Sequence, residues 1–332
     1  MPLPNNPNRN HLIDLLRFLA AAWVALFHFN EPQKYIDNWY RNFCKLGYWG
    51  VPIFFIISGY CICIAQQHTK TPQKFITRRL FRIFPPYWFS LVIVCLCALA
   101  IKIITHTNPT PLPKHIDETL AIVVLYTSPL SNYSTINWVY WTLPFELFFY
   151  FIIFFTLFTN HKLRLLIPFL LVITGFVIPF QKEGLLFFFN ELPTFMLGYA
   201  LYLVLKAPDN RVVNTAFFIL SAIALYFKHP GFDYILTAFI VCFLIALESR
   251  FHLKNNFFSR LGDFSYSIYL IHVPVAIYLL GFIKSNLSIQ TNLPLNIITD
   301  FFLLTVVIIL SKLMFIWVEL PAIKLGRKLS RP

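Results

Sequence analysis

Charge is what this sequence has least of. Asp, Glu, Lys and Arg make up 12% of the 332 residues, about half the share of an average soluble domain, and 58% of the chain is apolar. That shortage excludes a soluble globular enzyme, and the apolar content equally excludes a disordered chain. No polar stretch is long enough to make a soluble domain of its own, so 1–332 reads as one integral-membrane domain. Acidic residues are scarcer than basic ones, 14 against 27, for a net charge of +13. The basic surplus is spread over short loops rather than clustered on one soluble face, so it does not describe a nucleic-acid binder. Cysteine is sparse as well: Cys44, Cys61, Cys63, Cys95, Cys97 and Cys242. The two Cys-x-Cys pairs lie in apolar runs, where residues two apart point to different sides of a helix, so we read them as small core residues and expect no metal and no disulfide. A long internal repeat and lipidation motifs are also missing.

What is there is a series of apolar runs. A hydrocarbon core ~30 Å thick asks for helices of ~20 residues, and runs bounded by charge or Pro/Gly fall at 12–29, 48–65, 84–104, 139–158, 163–181, 185–205, 212–228, 232–248, 260–283 and 296–318. The expected fold is therefore all-α, polytopic, with about ten transmembrane helices. With the N-terminus in the cytosol, Lys and Arg on the cytosolic side outnumber those outside by more than two to one, which puts both termini in the cytosol. The segment 116–130 would invert that count if it crossed, so it reads as a re-entrant or surface helix on the outer side. The first run, interrupted by Asp14 and Arg17, lacks the unbroken core and small-residue cleavage site of a secretory signal and is expected to be retained.

Ionisable residues within spans are the informative ones, because hydrocarbon does not solvate them. Arg17 and His28 lie 11 residues apart, close to three full turns, and share one helix face about 16 Å apart. Asp14 sits one turn before Arg17, near enough for an ion pair. Spacing alone also suits a snorkelling Arg at one end and an interfacial His at the other. Arg79 and Arg82 are neighbours on one helical face of the basic stretch 74–86, which fits either an anionic-lipid anchor or a grip for phosphates. Trp141 belongs to a Trp/Tyr cluster of the interfacial type, and Pro144 opens a helix that carries Glu146 just into the membrane. Tyr266, Tyr269 and His272 make a polar stripe on an otherwise apolar helix, facing protein or water as a hydrogen-bond seam or a site. Glu191, Asp300 and Glu319 have no partner that spacing identifies.

Taken in order, the Arg17-to-His28 spacing, the run 47–60 (GYWGVPIFFIISGY), the Arg79/Arg82 pair, Trp141-Thr142-Leu143 leading to Glu146, Ser265 to His272, and Glu319-Leu320-Pro321 resemble the integral-membrane acyltransferase-3 family over nearly the whole chain. The resemblance implies ten helices, an acyl-CoA donor on the cytosolic side, commonly acetyl-CoA, and a sugar hydroxyl on the far side as acceptor. It also gives weight to Arg17 and His28 and to Arg79 and Arg82. Pro144 stands where many relatives have another residue, and the absence of a hydrolase-like domain after the tenth span implies a stand-alone enzyme.

The expected activity is thus a membrane O-acyltransferase of the inner membrane, moving an acyl group from acyl-CoA to an O-antigen, capsule or exopolysaccharide hydroxyl. The carbohydrate acceptor is lipid-linked or free, and the bilayer is the other partner. His28, Arg17 and Glu146 are the expected catalytic group. Arg79 and Arg82 would bind the donor, and Tyr266, Tyr269, His272 and Trp141 the acceptor, with acceptor choice in outer loops such as 30–47 and 105–138. Neutral imidazole suits a base or an acyl carrier near neutral pH. The rivals are a transporter of an anionic or acylated solute, for which no repeated half or pair of broken helices is seen, and a non-catalytic scaffold subunit.

Overall fold

The computed structural model describes residues 10–31, 37–69, 71–207, 210–248 and 250–330, and among these every regular element is a helix. The chain order is α1 (His11–Asn30), α2 (Trp39–Lys45), α3 (Gly50–His68), α4 (Pro72–Thr105), α5 (Ile116–Val123), α6 (Leu143–Thr156), α7 (His161–Val177), α8 (Phe188–Lys206), α9 (Arg211–Lys228) and α10 (Phe232–Glu248). The short α11 (Phe257–Leu261), α12 (Ser265–Val273), α13 (Gly281–Lys284) and α14 (Leu287–Thr291) follow, then α15 (Leu293–Met314) and α16 (Leu320–Leu329).

Among the described residues, seven helical stretches are long and apolar enough to cross a membrane: His11–Asn30, Trp39–His68, Pro72–Thr105, Trp138–Thr156, Leu185–Lys206, Arg211–Lys228 and Leu293–Leu329. The other three expected spans are helical but differ in kind. α7 and α10 each have 17 residues. The 260–283 region is broken into α11, a 3-10 turn, α12, a π turn at Pro274–Leu279 and α13.

The largest departure from the expected boundaries is α4. Its 34 residues begin at Pro72 rather than near 84 and run through Pro85 and Pro86. At 1.5 Å per residue it spans about 51 Å, well beyond a ~30 Å hydrocarbon core. The basic stretch is therefore the first third of a membrane helix, not a separate surface helix. This first part packs against α16: Arg78 donates from Nε to Ser330 Oγ at 2.8 Å, and a Cβ on Gly326 would lie 2.6 Å from Phe81 Cβ. The segment 116–130 forms the eight-residue α5 and then turns, and α4 holds it through Tyr87 Oη and Trp88 Nε1, which donate to the carbonyls of Ile122 and Val123.

Close backbone approach sets the middle of the bundle. Where α3 crosses α8, a Cβ on Gly59 would sit 1.8 Å from the Phe195 carbonyl oxygen, and one on Gly198 would sit 1.9 Å from that of Ile56. Only glycine lets two helices meet so closely, a familiar solution where helices gain nothing from excluding water. Phe55 and Phe195 stack beside the crossing, 4.3 Å between centroids.

A buried polar knot ties the end of α1 to α15. Asp300, fully buried, accepts from Lys284 Nζ at 2.6 Å, from Asn30 Nδ2 at 2.7 Å and from the Tyr40 hydroxyl at 2.9 Å. Lys284 donates also to Asn296. Lys284 is therefore not an outer-loop charge, and Asp300 has the partners that spacing did not reveal. The other two carboxylates are likewise engaged: Glu319 accepts from Ser267 Oγ at 2.7 Å, and Glu191 lies 3.5 Å from His229 Nε2 and 3.4 Å from the Tyr234 hydroxyl. Because the knot leaves each charge compensated, Asp300→Asn strands a buried ammonium and is expected to cost about 3–5 kcal/mol. Thermal melting in detergent checks this. Lys284→Met combined with Asp300→Asn should recover part of the loss, whereas an unchanged melting temperature in the single variant would show that the pair does not hold α1 in place.

Candidate active site

The polar residues within the bundle form one continuous file. At one end Arg79 holds its guanidinium over the rings of Phe75 and Tyr150, 5.7 and 5.6 Å from their centroids. The Tyr150 hydroxyl donates to Glu146, four residues earlier on α6, and Ser58 Oγ on α3 donates to the same carboxylate oxygen at 3.2 Å. Glu146 opens into a cavity that it lines with Arg17, Ser58, Arg82, Tyr266 and Tyr269, the rest of the wall being mainly apolar. Arg17 reaches across to Cys61 Sγ at 3.8 Å. Two guanidinium groups and one carboxylate thus face a common space within the bundle, where opposite charges can compensate one another.

The tyrosines of the expected stripe shape this space with their hydroxyl protons already committed. Tyr266 donates to the Ile83 carbonyl at 3.2 Å, in the turn of α4 next to Pro85 and Pro86. Tyr269 donates to the Val139 carbonyl, and its oxygen lies 2.7 Å from Thr142 Oγ1. Beyond Tyr269 come two imidazoles. The His272 ring lies 5.9 Å from that of Tyr269, and the His28 ring stacks on His272 with centroids 5.3 Å apart and planes at 30°. His28 Nδ1 is 3.4 Å from Glu31 Oε2, and Trp138 Nε1 is also 3.4 Å from it. The indole N–H can only donate and the carboxylate can only accept, so the two compete for opposite tautomers of His28. A proton on Nδ1 turned to Glu31 leaves Nε2 as the basic nitrogen.

Of the residues singled out in the sequence, Arg17, Arg82, Glu146, Tyr266 and Tyr269 line one cavity; His28 and His272 are not among its lining residues and stand together beyond Tyr269. Arg79 reaches the file through Tyr150. Trp141 packs edge-on against Phe145 at 5.7 Å and is not among the cavity-lining residues. Ser58, Thr142, Tyr150 and Glu31 were not singled out. Tyr150 and Glu31 had a signal, the i+4 and i+3 spacing from Glu146 and His28; Ser58 and Thr142 lie within motifs that carry the family resemblance, but their spacing did not mark them as site residues. The described cysteines are all free thiols, and Cys61 is the one that meets the file.

Apolar helices around an internal file of ionisable groups define a multi-pass membrane protein with a site built across the bundle rather than on its surface. The chain belongs to the acyltransferase-3 family, whose acyltransferase domain matches residues 10–317. It is similar to the exopolysaccharide production protein ExoZ of Rhizobium meliloti (strain 1021), with 28% identity over 298 residues, 85% of this chain and 91% of that protein. A shorter match links it to BcsY of Komagataeibacter xylinus, named as a candidate membrane-bound transacylase, with 36% identity over 94 residues, 28% of this chain and 20% of that protein. No solved structure matches the chain.

Glu31 tests the geometry at the His28 end. Its carboxylate is half exposed, at 55%, and its removal is tolerable for folding. Glu31→Gln should lower acyl transfer about tenfold, the size of a lost hydrogen bond to a charged group. Trp138→Phe, which removes the competing donor, should lower it less. Rates of ester formation in membranes with matched protein levels decide the order.

Proposed function

We propose that this protein is an O-acyltransferase that takes an acyl group, acetyl by default, from acyl-CoA in the cytosol and places it on a hydroxyl of an extracytosolic glycan such as exopolysaccharide, capsule or O-antigen. In this reading all ten helical segments cross the inner membrane, both termini are cytosolic, and the chain acts as a single domain. The observation that carries it is the succession of polar side chains from Arg79, Tyr150 and Glu146 through Tyr269 to His272 and His28. A donor and an acceptor on opposite sides of a membrane need such a path, because neither a thioester carrying nucleotide phosphates nor a sugar crosses hydrocarbon unaided.

The donor end is cationic. Arg79 and Arg82, with Lys74, Arg78, Lys324, Arg327 and Lys328 on the paired α4 and α16, hold the coenzyme's phosphates. The acyl chain and its thioester thread through the cavity, past the positive charge of Arg17 and Arg82, to the His28 end. The acceptor enters from the His28 end, past the 37–47 and 106–138 segments. His28, with Nδ1–H turned to Glu31, takes the hydroxyl proton on Nε2 as the oxygen attacks the thioester carbonyl. The C–S bond breaks as the C–O bond forms, and the proton passes from His28 to the departing thiolate. Ester and free coenzyme A are the products. Glu146, held by Ser58 and Tyr150, balances the two guanidinium groups. The similarity to a protein named for exopolysaccharide production supports a glycan acceptor.

The test is transfer of labelled acetyl from acetyl-CoA to envelope polysaccharide in isolated membranes. His28→Ala should lose about 10²–10⁴-fold, the usual worth of a positioned general base. Arg79→Ala should act mainly through the donor, raising its apparent KM about tenfold. Full activity in the His28 variant removes that residue from the chemistry, and uptake of an unmodified solute in place of ester formation would indicate a transporter instead.

A further inference from the structure

The second imidazole of the file holds a polar atom that the fold leaves bare. His272 is completely buried. Its Nδ1 lies 2.8 Å from the Tyr269 carbonyl oxygen and 3.2 Å from that of Ile268. Carbonyl oxygens only accept, so Nδ1 carries the hydrogen and the ring is the tautomer with its lone pair on Nε2. Nε2 has no hydrogen-bond partner among the described residues. A buried acceptor without a partner destabilises a fold by about 1–3 kcal/mol, and a leucine of similar volume would fill the same place without that cost. The neighbouring ring is that of His28, stacked on His272 with centroids 5.3 Å apart and planes at 30°.

Two stacked imidazoles, each able to present a basic nitrogen, match two hydroxyl groups rather than one. Neighbouring hydroxyls of a sugar ring stand side by side, so one can reach each imidazole. We propose that His272 Nε2 accepts a hydrogen bond from the hydroxyl adjacent to the one that is acylated, so that the site selects a vicinal diol and fixes which of its two oxygens meets His28. This rests on the reading that His28 activates an acceptor hydroxyl. His272 takes no proton in the reaction: its Nδ1–H stays on the backbone, and its contact with the acceptor is a hydrogen bond only. The fixed tautomer makes it a one-way recogniser. It accepts an O–H and rejects an ether, ester or carbonyl oxygen at the same position, because two acceptors face each other there with no hydrogen between them.

The experiment uses cells expressing the full chain, with ester on isolated envelope polysaccharide located by NMR and quantified by mass spectrometry per mole of protein in the membrane. The expected ester sits on a sugar carbon whose neighbour carries a free hydroxyl. His272→Leu should lower the ester about tenfold, and His272→Gln, which retains an acceptor oxygen, should keep more of it than His272→Leu. A histidine that merely fills space gives the opposite order, since leucine suits a dry site better than an amide. Undiminished ester in His272→Leu, or an ester whose neighbouring positions are all substituted, overturns the proposal while leaving the acyltransferase reading intact. If wild-type cells carry no ester beyond those of cells lacking the protein, the acyltransferase reading itself fails.

Discussion

Hydrocarbon cannot solvate an ion, and that constraint organises this molecule. Every ionisable side chain on a span must find water, a counter-charge or a hydrogen-bonding cavity within the bundle. Here Arg17, Arg82, Glu146 and His28 come from three different helices and still converge, because converging is the only way each of them avoids lipid. The cavity is therefore less a hole left by imperfect packing than the place where the sequence's few charges are collected. Collected in this way, two guanidinium groups and a carboxylate share one largely apolar wall, with the paired imidazoles of His28 and His272 beyond Tyr269.

The packing around the site supports that collection rather than competing with it. The Gly59 and Gly198 crossing brings α3 close to α8 and so fixes where Ser58 stands relative to Glu146. The Asp300 knot holds Asn30, two residues beyond His28, to α15 through side chains from four separate elements. The Tyr266 and Tyr269 hydroxyls are fastened to backbone carbonyls of α4 and of the turn before α6, so their rings form a rigid wall. Little of the site rests on a free side chain.

Much of this was legible in the sequence, and the rest was not for identifiable reasons. Apolar run length reports helix position because a membrane sets a minimum length, and the expected spans coincide with helices. It fails at α4, where basic residues at 74–82 resemble a loop end although helix hydrogen bonding continues through them. Helical spacing placed Arg17 and His28 on one face, and Tyr266, Tyr269 and His272 on another, but spacing within a helix says nothing about which face meets which. That Arg82 enters the cavity, that Lys284 pairs with Asp300, and that His272 stacks on His28 are contacts between residues 16 to more than 200 positions apart in the chain. The family resemblance named residues but not their neighbours, and Glu31, half exposed at the end of α1, belonged to none of its motifs.

The cavity wall has one more property. Val51, Phe54, Phe55, Ile83 and Leu143 stand among its polar groups. A string of titratable side chains joining two faces of a membrane is also a wire for protons, and each elementary charge that leaks across is driven by about 2.3 kcal/mol per 100 mV. The apolar side chains that share the wall thin out such a wire. A dry wall of this kind makes proton leakage costly and so helps the bilayer keep its stored voltage.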